Sequence, residues 1–257
     1  MILKDKVVIV TGAGPGMGQA MCRGGAAEGA KIVVSARSKD AIEAIADDIN
    51  QQGHEAIAVP CDVSETEQCQ ALAKAALDKW GRIDGLVNSA YYHPDWANLE
   101  SHSIEQALKA MDVIAVGGLR MAQAVIPAMR EQKSGAIVNI STLASRKPMP
   151  GEGAYAMAKS ALNQLTRQLA VELGGTGIRV NTAAMGWLDG VPLASFFESM
   201  GKEEGAAFRK QRASEVPVGH IPPDKDCAKA VYFLLSDYAS EITGAALDVN
   251  GGDWVTA

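Results

Sequence analysis

The chain has 257 residues, of which 47% are hydrophobic and 21% charged, so it is long enough to bury one large core and too apolar to be disordered. Its net charge is -6, and its lysines and arginines are scattered among acidic residues instead of forming a basic patch. We therefore expect a globular protein with no nucleic-acid partner.

The opening residues and the cysteines exclude further classes of protein. The N-terminal sequence MILKDKVVIVTG turns glycine-rich before a signal-peptide core could form, and no apolar run reaches the roughly 18 residues of a membrane helix. The four cysteines form no CxxC pair and stand at no ligand spacing from a histidine. We expect a cytoplasmic protein without membrane contact, metal site or disulfide bonds.

Short β-branched apolar runs alternate with stretches of helical period along the chain. The predicted strands are KVVIV, KIVVS, EAIAVP, DGLVNS, GAIVNIS, GIRVNTA and AALDVN. The predicted helices cover 16–29, 38–52, 64–80, 103–131 and 154–173. Runs that are apolar on both faces favour a parallel sheet covered by helices on both sides. The sequence thus predicts an α/β fold, a single doubly wound, Rossmann-like domain of about seven parallel strands over residues 1–257.

A glycine-rich turn, TGAGPGMGQAM, follows the first predicted strand. Its four glycines, Gly12, Gly14, Gly16 and Gly18, would let backbone N–H groups and a helix N-terminus approach an anionic pyrophosphate. The spacing TGxxxGxG differs from the usual dinucleotide fingerprint GxGxxG, and glycines also mark ordinary tight turns. Four glycines between a strand and a helix nevertheless favour a nucleotide site.

The residues after the second and third strands indicate which nucleotide binds. Ala36 stands about where an NAD site would have an acid for the ribose hydroxyls, and Arg37 follows it. A guanidinium would pair with a 2′-phosphate, so NADP(H) is the predicted cofactor and NAD(H) the alternative. A solvated loop charge, or stacking on adenine, is the competing account of Arg37. Asp62 is placed to hydrogen-bond the adenine edge, or else to cap a helix N-terminus.

A cluster of aromatic side chains follows the fourth predicted strand in VNSAYYHPDW. We interpret Tyr91 and Tyr92 as pocket walls beside the cofactor, whereas His93 and Trp96 either contact the substrate or cover a helix end. With Trp187 they suggest a small apolar or ring-bearing substrate, although aromatic residues at such places are also ordinary core or interface residues.

Tyrosine and lysine stand four residues apart in GAYAMAKSAL, at the start of a predicted helix. Tyr155 and Lys159 therefore share one helix face. A nearby ammonium group stabilises a phenolate and lowers the pKa of the phenol toward the working range of a proton shuttle. A solvated helix face is the alternative for such a pair.

One long segment, 186–224, departs from the alternation of strands and helices. It carries Phe196, Phe197 and Phe208 among flexible and charged residues. We interpret it as a helical insertion that covers the substrate. An ordinary surface insertion is the alternative.

Together these motifs resemble the short-chain dehydrogenase/reductase superfamily over essentially the whole chain. The segments that carry the resemblance are TGAGPGMG, CDV, NSA, NIST, YAMAK, IRVN and ITGAALDVNGG. The resemblance implies an NAD(P)(H)-dependent oxidoreductase, usually a homotetramer, that interconverts an alcohol and a carbonyl compound. The helices at 103–131 and 154–173 would suit the superfamily's helix-to-helix dimer contact, so a homodimer or homotetramer is expected.

The resemblance also implies roles for single residues. Tyr155 would be the general acid and base, Lys159 would bind the nicotinamide ribose and tune Tyr155, and Thr142 would replace the serine that orients the substrate oxygen. The expected substrate contacts are Tyr91, Tyr92, His93 and Trp187. The expected cofactor contacts are Gly12, Gly14, Gly16, Met17, Gly18, Arg37, Asp62, Val63, Asn88, Lys159 and Gly186.

Several positions depart from the superfamily's pattern. NNAG has become NSAY, and the helix asparagine that extends the proton relay aligns with Ile114, which can neither donate nor accept a hydrogen bond. Met185, Gly190 and Asn250 replace the usual proline, threonine and aspartate. These changes leave two other functions open: a non-redox enzyme that uses Tyr155 in elimination, epoxide or isomerisation chemistry, and a nucleotide-sensing binding protein.

Overall fold

Seven parallel strands form one sheet in the computed structural model, which describes residues 1–255. The strands are β1 (Val7–Thr11), β2 (Lys31–Ser35), β3 (Ala56–Ala58), β4 (Gly85–Asn88), β5 (Gly135–Thr142), β6 (Ile178–Met185) and β7 (Ala246–Val249). Their order across the sheet is β3-β2-β1-β4-β5-β6-β7. The strand order reverses between β1 and β4, so the predicted doubly wound α/β fold is confirmed.

Nine α-helices lie in the described range, and six of them pack against the two faces of the sheet. The nine are α1 (Met17–Ala27), α2 (Lys39–Gln51), α3 (Thr66–Trp80), α4 (Ile104–Met111), α5 (Gly117–Gln132), α6 (Gly153–Glu172), α7 (Val191–Ser199), α8 (Lys202–Glu215) and α9 (Asp224–Leu235). The helices predicted before residue 174 begin and end within two residues of the observed ones. Periodicity located them because each buries one continuous apolar stripe.

Both faces of the sheet are buried, which explains why the strands are apolar throughout. On β1, Val8 and Val10 pack into a core shared with α1, α2 and α9. Val7 and Ile9 point to the other face, into a core shared with α3, α5 and α6. The carboxyl ends of the strands are therefore collected at one edge, between two layers of helices.

The helix predicted over 103–131 is interrupted by a π-helical turn. Ser103 begins it, because its Oγ accepts a hydrogen bond from the backbone N of Gln106 at 3.2 Å. The π turn, Asp112–Val116, joins α4 to α5 and carries Ile114, which packs against α6. Such turns are frequent at functional sites.

By length and composition, Ile104–Gln132 is the one helical stretch within residues 1–255 that could cross a membrane. Polar residues interrupt this stretch, so a search of the sequence for unbroken apolar runs does not find it. In the structure its two helices pack against α3 and α6, as core helices of a globular fold do.

Buried hydrogen bonds connect α6 to the middle of the sheet. Asn88 Nδ2 at the end of β4 donates to Asn139 Oδ1 on β5 at 2.9 Å, and Asn139 Nδ2 donates to Thr166 Oγ1 on α6 at 2.8 Å. The Thr166 hydroxyl also shares a hydrogen bond of 2.8 Å with Thr182 Oγ1 on β6. All four side chains are buried. Because an unpaired buried polar group is costly, this chain of bonds fixes α6 relative to three strands.

Candidate functional site

A cleft of about 170 Å³ opens at the carboxyl ends of β1 to β4. It lies where the strand order reverses, which is the place where ligands bind in open α/β sheets. The predicted site residues that line it are Gly12, Gly14, Arg37, Asp62, Val63, Tyr91 and Tyr92. The structure thus brings residues from four separate loops to one cleft.

The glycines of the TGxxxGxG turn have distinct structural roles. A Cβ at Gly12, where φ is +67°, would lie 2.6 Å from the backbone of Ala90, and a Cβ at Gly18 would lie 2.2 Å from the carbonyl oxygen of Gly12. These two glycines let the turn, β4 and α1 approach closely. At Gly14 a Cβ would meet no atom of residues 1–255 within 4 Å, so this glycine faces the cleft.

The first turn of α1 fits an anionic group. Gly16 occupies the N-cap position, no side chain caps the helix, and its first turn contains no acidic residue. The unpaired N–H groups and the positive end of the helix dipole are thus free to bind a phosphate. Met17, the first residue of the helix, packs partly against the core, and a Cβ at Gly16 would lie 2.9 Å from Cδ of Pro192 on α7.

Two cationic side chains line the cleft beside Asp62. Arg37 is exposed and comes directly after Ala36, as predicted. The second cation, Lys109 on α4, was missed by the sequence analysis; its Nζ lies 4.6 Å from the ring centroid of Tyr92. No local motif marks Lys109, because its position depends on how α4 packs over the sheet.

Asp62 forms a turn before α3 and does not cap that helix. Its Oδ1 accepts hydrogen bonds from the backbone N of Ser64 at 3.0 Å and from Ser64 Oγ at 2.7 Å, whereas the N-cap of α3 is Glu65. The bonds from Ser64 lower the pKa of Asp62, and the charges of Arg37 and Lys109 lower it further. The carboxylate therefore remains ionised at the rim of the cleft.

Three of the predicted cofactor residues also have roles in packing or hydrogen bonding. Val63 packs against α5, where a Cβ on Gly117 would lie 2.8 Å from its Cγ2. Gly186 lets β6 approach Asn250, since a Cβ there would lie 2.8 Å from Cβ of Asn250. Asn88 is buried, and its Oδ1 accepts no hydrogen bond from any described residue. An acceptor in this state fits an added donor at the end of β4.

Tyr155 and Lys159 lie together on the first turns of α6. Lys159 is only 2% exposed. Its Nζ donates a hydrogen bond of 2.7 Å to the carbonyl oxygen of Ile140 on β5 and lies 5.6 Å from the ring centroid of Tyr155. Burial lowers the pKa of Lys159 to about 7. The alternative of a solvated helix face is wrong.

The pKa of Tyr155 differs from the sequence-based expectation. Burial raises the pKa of Tyr155 well above its usual value, and the nearby carboxylate of Glu152 raises it further. We expected the ammonium of Lys159 to lower it instead. The difference arises because Lys159 is itself desolvated and directs its hydrogen bond to β5, while a carboxylate lies on the same end of α6. In this structure Tyr155 is therefore protonated at neutral pH.

Thr142 ends β5 at the same edge of the sheet. Its Oγ1 accepts a hydrogen bond from the backbone N of Ala144 at 3.3 Å and caps the short turn Leu143–Ser145. Its hydroxyl proton can therefore be donated elsewhere. Ser141 points the other way, is buried, and lies 3.4 Å from Ser145 Oγ, in agreement with the alternation along a strand.

His93 lies beside Tyr155, in contact with an acid that the sequence analysis missed. The imidazole centroid is 4.7 Å from that of Tyr155 and 5.7 Å from that of Trp96. His93 Nε2 lies 3.6 Å from Oε1 of Glu152, the residue just before α6. This carboxylate raises the pKa of His93. Glu152 precedes Tyr155 by three residues, which is the only sequence signal that could have drawn attention to it.

Trp187 packs into an aromatic cluster of the 186–224 segment. Its ring centroid lies 6.4 Å from Phe196 and 6.1 Å from Phe208, and the guanidinium of Arg212 lies 5.0 Å from its ring. Phe197 joins the same cluster. The cluster holds α7 and α8 together, with Pro192 of α7 against the glycine-rich turn.

Comparisons with known proteins give consistent matches. A family model described as "Enoyl-(Acyl carrier protein) reductase" matches residues 12–253. An uncharacterized oxidoreductase of Methylorubrum extorquens is 34% identical over 253 residues, which are 97% of this chain and 98% of the relative. A 3-oxoacyl-(acyl-carrier-protein) reductase of Staphylococcus aureus is 32% identical over 249 residues, 96% and 97% of the two chains. The crystal structure of a levodione reductase has a TM-score of 0.91 at 30% identity and covers 97% of this chain and 98% of its own.

The close approach of Gly18 to Gly12 predicts a site-specific loss of stability. Gly18→Ala places a Cβ against a backbone oxygen at 2.2 Å and is expected to destabilise the fold by about 1–3 kcal/mol in urea unfolding. Gly14→Ala is the matched control, because its Cβ meets open space and should cost less than about 1 kcal/mol. Equal stability of the two variants would contradict the assigned packing.

The buried ammonium of Lys159 predicts a gain in stability when it is removed. Lys159→Met should stabilise the cofactor-free fold by on the order of a few kcal/mol at pH 7. The pKa of Lys159 is lowered from 10.5 to about 7, so between these values the unfolded chain holds a proton that the folded state lacks. The free energy of unfolding of the unaltered chain thus rises with pH in this window. The difference in stability between the unaltered chain and the Lys159→Met variant should therefore narrow.

Thermal unfolding across that pH window measures the effect. Lys39→Met is the control, because the Lys39 side chain is 67% exposed. If the difference in stability between the unaltered chain and Lys159→Met does not change with pH, or if there is no difference, Lys159 is not held as a desolvated base.

Proposed function

The chain belongs to the short-chain dehydrogenase/reductase superfamily of oxidoreductases, and from this premise we propose that it is an NADP(H)-dependent enzyme interconverting a ketone and a secondary alcohol. The observation that carries the proposal is the pair formed by the partly buried Tyr155 and the buried Lys159 on α6, at the sheet edge that also forms the glycine-lined cleft. The substrate would be a small molecule with an apolar or ring-bearing body.

The cleft fits a nicotinamide dinucleotide at several points. Backbone groups around Gly14 and the N-terminus of α1 would hold the pyrophosphate, and Arg37, with Lys109 near it, would hold a 2′-phosphate. Asp62 would contact the adenosine part, and the further N–H groups of Lys159 would donate to the nicotinamide ribose. When bound, the cofactor supplies or accepts the hydride.

In the direction of reduction, this chain would manage the substrate oxygen and its proton. The Thr142 hydroxyl would donate to the carbonyl oxygen and orient it, and the Tyr155 hydroxyl would give up its proton to the same oxygen. With its raised pKa, Tyr155 is protonated at neutral pH, which is the form that this step requires. The Lys159 ammonium beside the ring would stabilise the phenolate that forms.

The pocket walls support an apolar substrate. Tyr91 and Tyr92 follow β4, and Tyr92 packs between the cleft and the cluster that contains Tyr155. His93 and Trp96 continue the wall on the outside of Tyr155. Segment 186–224 would cover this pocket, and its contact with Gly16 through Pro192 supports that role over an ordinary surface insertion. Two relatives are named for the reduction of a 3-oxoacyl group and of levodione, consistent with a carbonyl substrate.

The two other functions receive less support. A non-redox enzyme and a nucleotide-sensing protein were suggested by the changed residues NSAY, Ile114 and Gly190. The glycine-lined cleft keeps its open face, and Lys159 remains buried beside Tyr155 at an energetic cost that a pure binding protein does not require. The relatives are also named as reductases or oxidoreductases.

We retain association of the chain with itself and a cytoplasmic location as parts of the proposal. Ile104 and Leu108 on α4, and Met157 and Val171 on α6, are large apolar side chains that remain exposed. Apolar side chains at these positions support a homodimer or homotetramer formed through these helices.

Removal of a single oxygen tests the proton donor. Tyr155→Phe should lower the rate of NADPH-dependent carbonyl reduction at least about a hundredfold, because the hydroxyl that protonates the substrate is lost. The dissociation constant for NADPH, measured by tryptophan quenching, should change little. Tyr238→Phe is the control, since Tyr238 is 76% exposed. Comparable turnover in the Tyr155 variant would remove Tyr155 from this role.

Cofactor preference tests the role of Arg37. Arg37→Ala should raise the dissociation constant for NADPH about tenfold or more and that for NADH less than about twofold, since only NADPH offers a charged partner to the guanidinium. Lys39→Ala, two residues away, is the control. Calorimetric titration with each cofactor measures the difference. Equal effects on NADPH and NADH would contradict the assignment to the 2′-phosphate.

A further inference from the structure

The imidazole of His93 is held in one orientation by two contacts. Its Nδ1 lies 2.8 Å from the carbonyl oxygen of Pro94, which can only accept, so Nδ1 carries a proton. Its Nε2 lies 3.6 Å from Oε1 of Glu152. If Nδ1 carries the only proton of a neutral imidazole, the lone pair of Nε2 points at the carboxylate of Glu152, and the two repel each other. The pair is therefore stable only when it shares a second proton between Nε2 and Oε1.

Glu152, which directly precedes the first turn of α6, is unusually buried for an acidic residue. Its side chain is 9% exposed, and Oε2 has no hydrogen-bond partner among the described residues. A buried carboxylate with an unpaired oxygen is stabilised by a cationic partner. His93 is the partner that the structure provides, and its side chain remains 32% exposed, so it can exchange protons with solvent.

The other side of Tyr155 is apolar. The side chains packed around Tyr155 there are Ala110, Ile114, Ala158 and Leu162. Lys159 directs its hydrogen bond to Ile140 on β5, away from this cluster. Among residues 1–255 that contact Tyr155, the group that combines a mobile proton with solvent access is therefore His93, whose ring lies 4.7 Å away.

We propose that His93 and Glu152 form the proton relay that restores Tyr155 after each reduction. This inference rests on the proposed function. As hydride adds to the carbonyl carbon, the Tyr155 O–H bond breaks and the proton moves to the substrate oxygen. The phenolate then takes the Nε2 proton of His93, directly or through one water molecule, and His93 regains a proton from solvent. Each cycle consumes one hydride and one solvent proton.

The charges around this relay are consistent with it. Glu152 disfavours a phenolate at Tyr155, so it favours the return of the proton. Lys159 on α6, Tyr91 beside the ring, and Lys109 over Tyr92 are the other titratable groups near this part of the site. The rings of Trp96 and Tyr155 pack against the imidazole and stabilise it when it is charged.

The first test concerns the cofactor-free protein. A pH titration of the His93 ring by NMR should give a pKa above that of an ordinary histidine, because the main shift comes from Glu152. Glu152→Gln should return the pKa of His93 toward its ordinary value, whereas Glu172→Gln, at the exposed end of the same helix, should not change it. An unchanged titration in Glu152→Gln would overturn the pairing, whatever the enzyme's activity.

The second test separates the first turnover from the following ones. Tyr155 starts with its own proton, so in rapid mixing of His93→Gln with NADPH and a saturating carbonyl substrate the steady-state rate should fall at least about tenfold more than the rate of the first turnover. Imidazole added to His93→Ala should restore much of the steady-state rate. His102→Gln, on the same loop with both ring nitrogens near backbone oxygens, is the control.

The pH profile provides a further readout. In the unaltered enzyme, steady-state reduction should fall as the pH rises through the raised pKa of His93, because the relay loses its proton. In Glu152→Gln this fall should move to lower pH. His93 would be only a pocket wall if His93→Gln lowered the rates of the first and later turnovers equally and imidazole did not restore His93→Ala. The same conclusion would follow if neither rate fell. Absence of any NADPH-dependent reduction by the unaltered chain would instead refute the proposed function, and the NMR titration would still decide the pairing.

Discussion

The position of α6 against the sheet is the constraint on which the rest of the site depends. The buried bonds from Asn88 through Asn139 to Thr166 leave no freedom for the helix to slide, because any shift would leave polar groups unpaired in the core. Lys159 attaches α6 to the sheet at a further point, through the carbonyl oxygen of Ile140. Tyr155 is thereby held beside the cleft without making a strong hydrogen bond that would occupy its hydroxyl.

This arrangement places opposite charges on two sides of one phenol. Lys159 is a desolvated cation near the ring, whereas Glu152 is a buried anion at the start of the same helix. Either charge alone would favour one protonation state of Tyr155 and so impede half of a catalytic cycle. In the proposed relay, together with the mobile proton on His93, they would allow the phenol to lose and regain a proton with small changes in net charge.

The second constraint is the close approach of backbones at the glycine-rich turn. Gly12 contacts the end of β4, Gly18 contacts Gly12, and Gly16 contacts Pro192 at the start of α7. The turn that would hold a pyrophosphate is therefore in direct contact with the segment that would cover the substrate.

The sequence by itself determined the features that depend on short-range patterns. Alternating periodicity specified the parallel sheet and its helices, glycine spacing specified the tight turn before α1, and the four-residue separation of Tyr155 and Lys159 specified their common helix face. The tertiary structure alone decided how distant segments meet. Lys109 reaches the cleft, and His93 meets Glu152, only because separate elements pack at one sheet edge. It also decided the direction of the Tyr155 pKa shift, since burial and the charge of a neighbour are properties of packing and not of spacing.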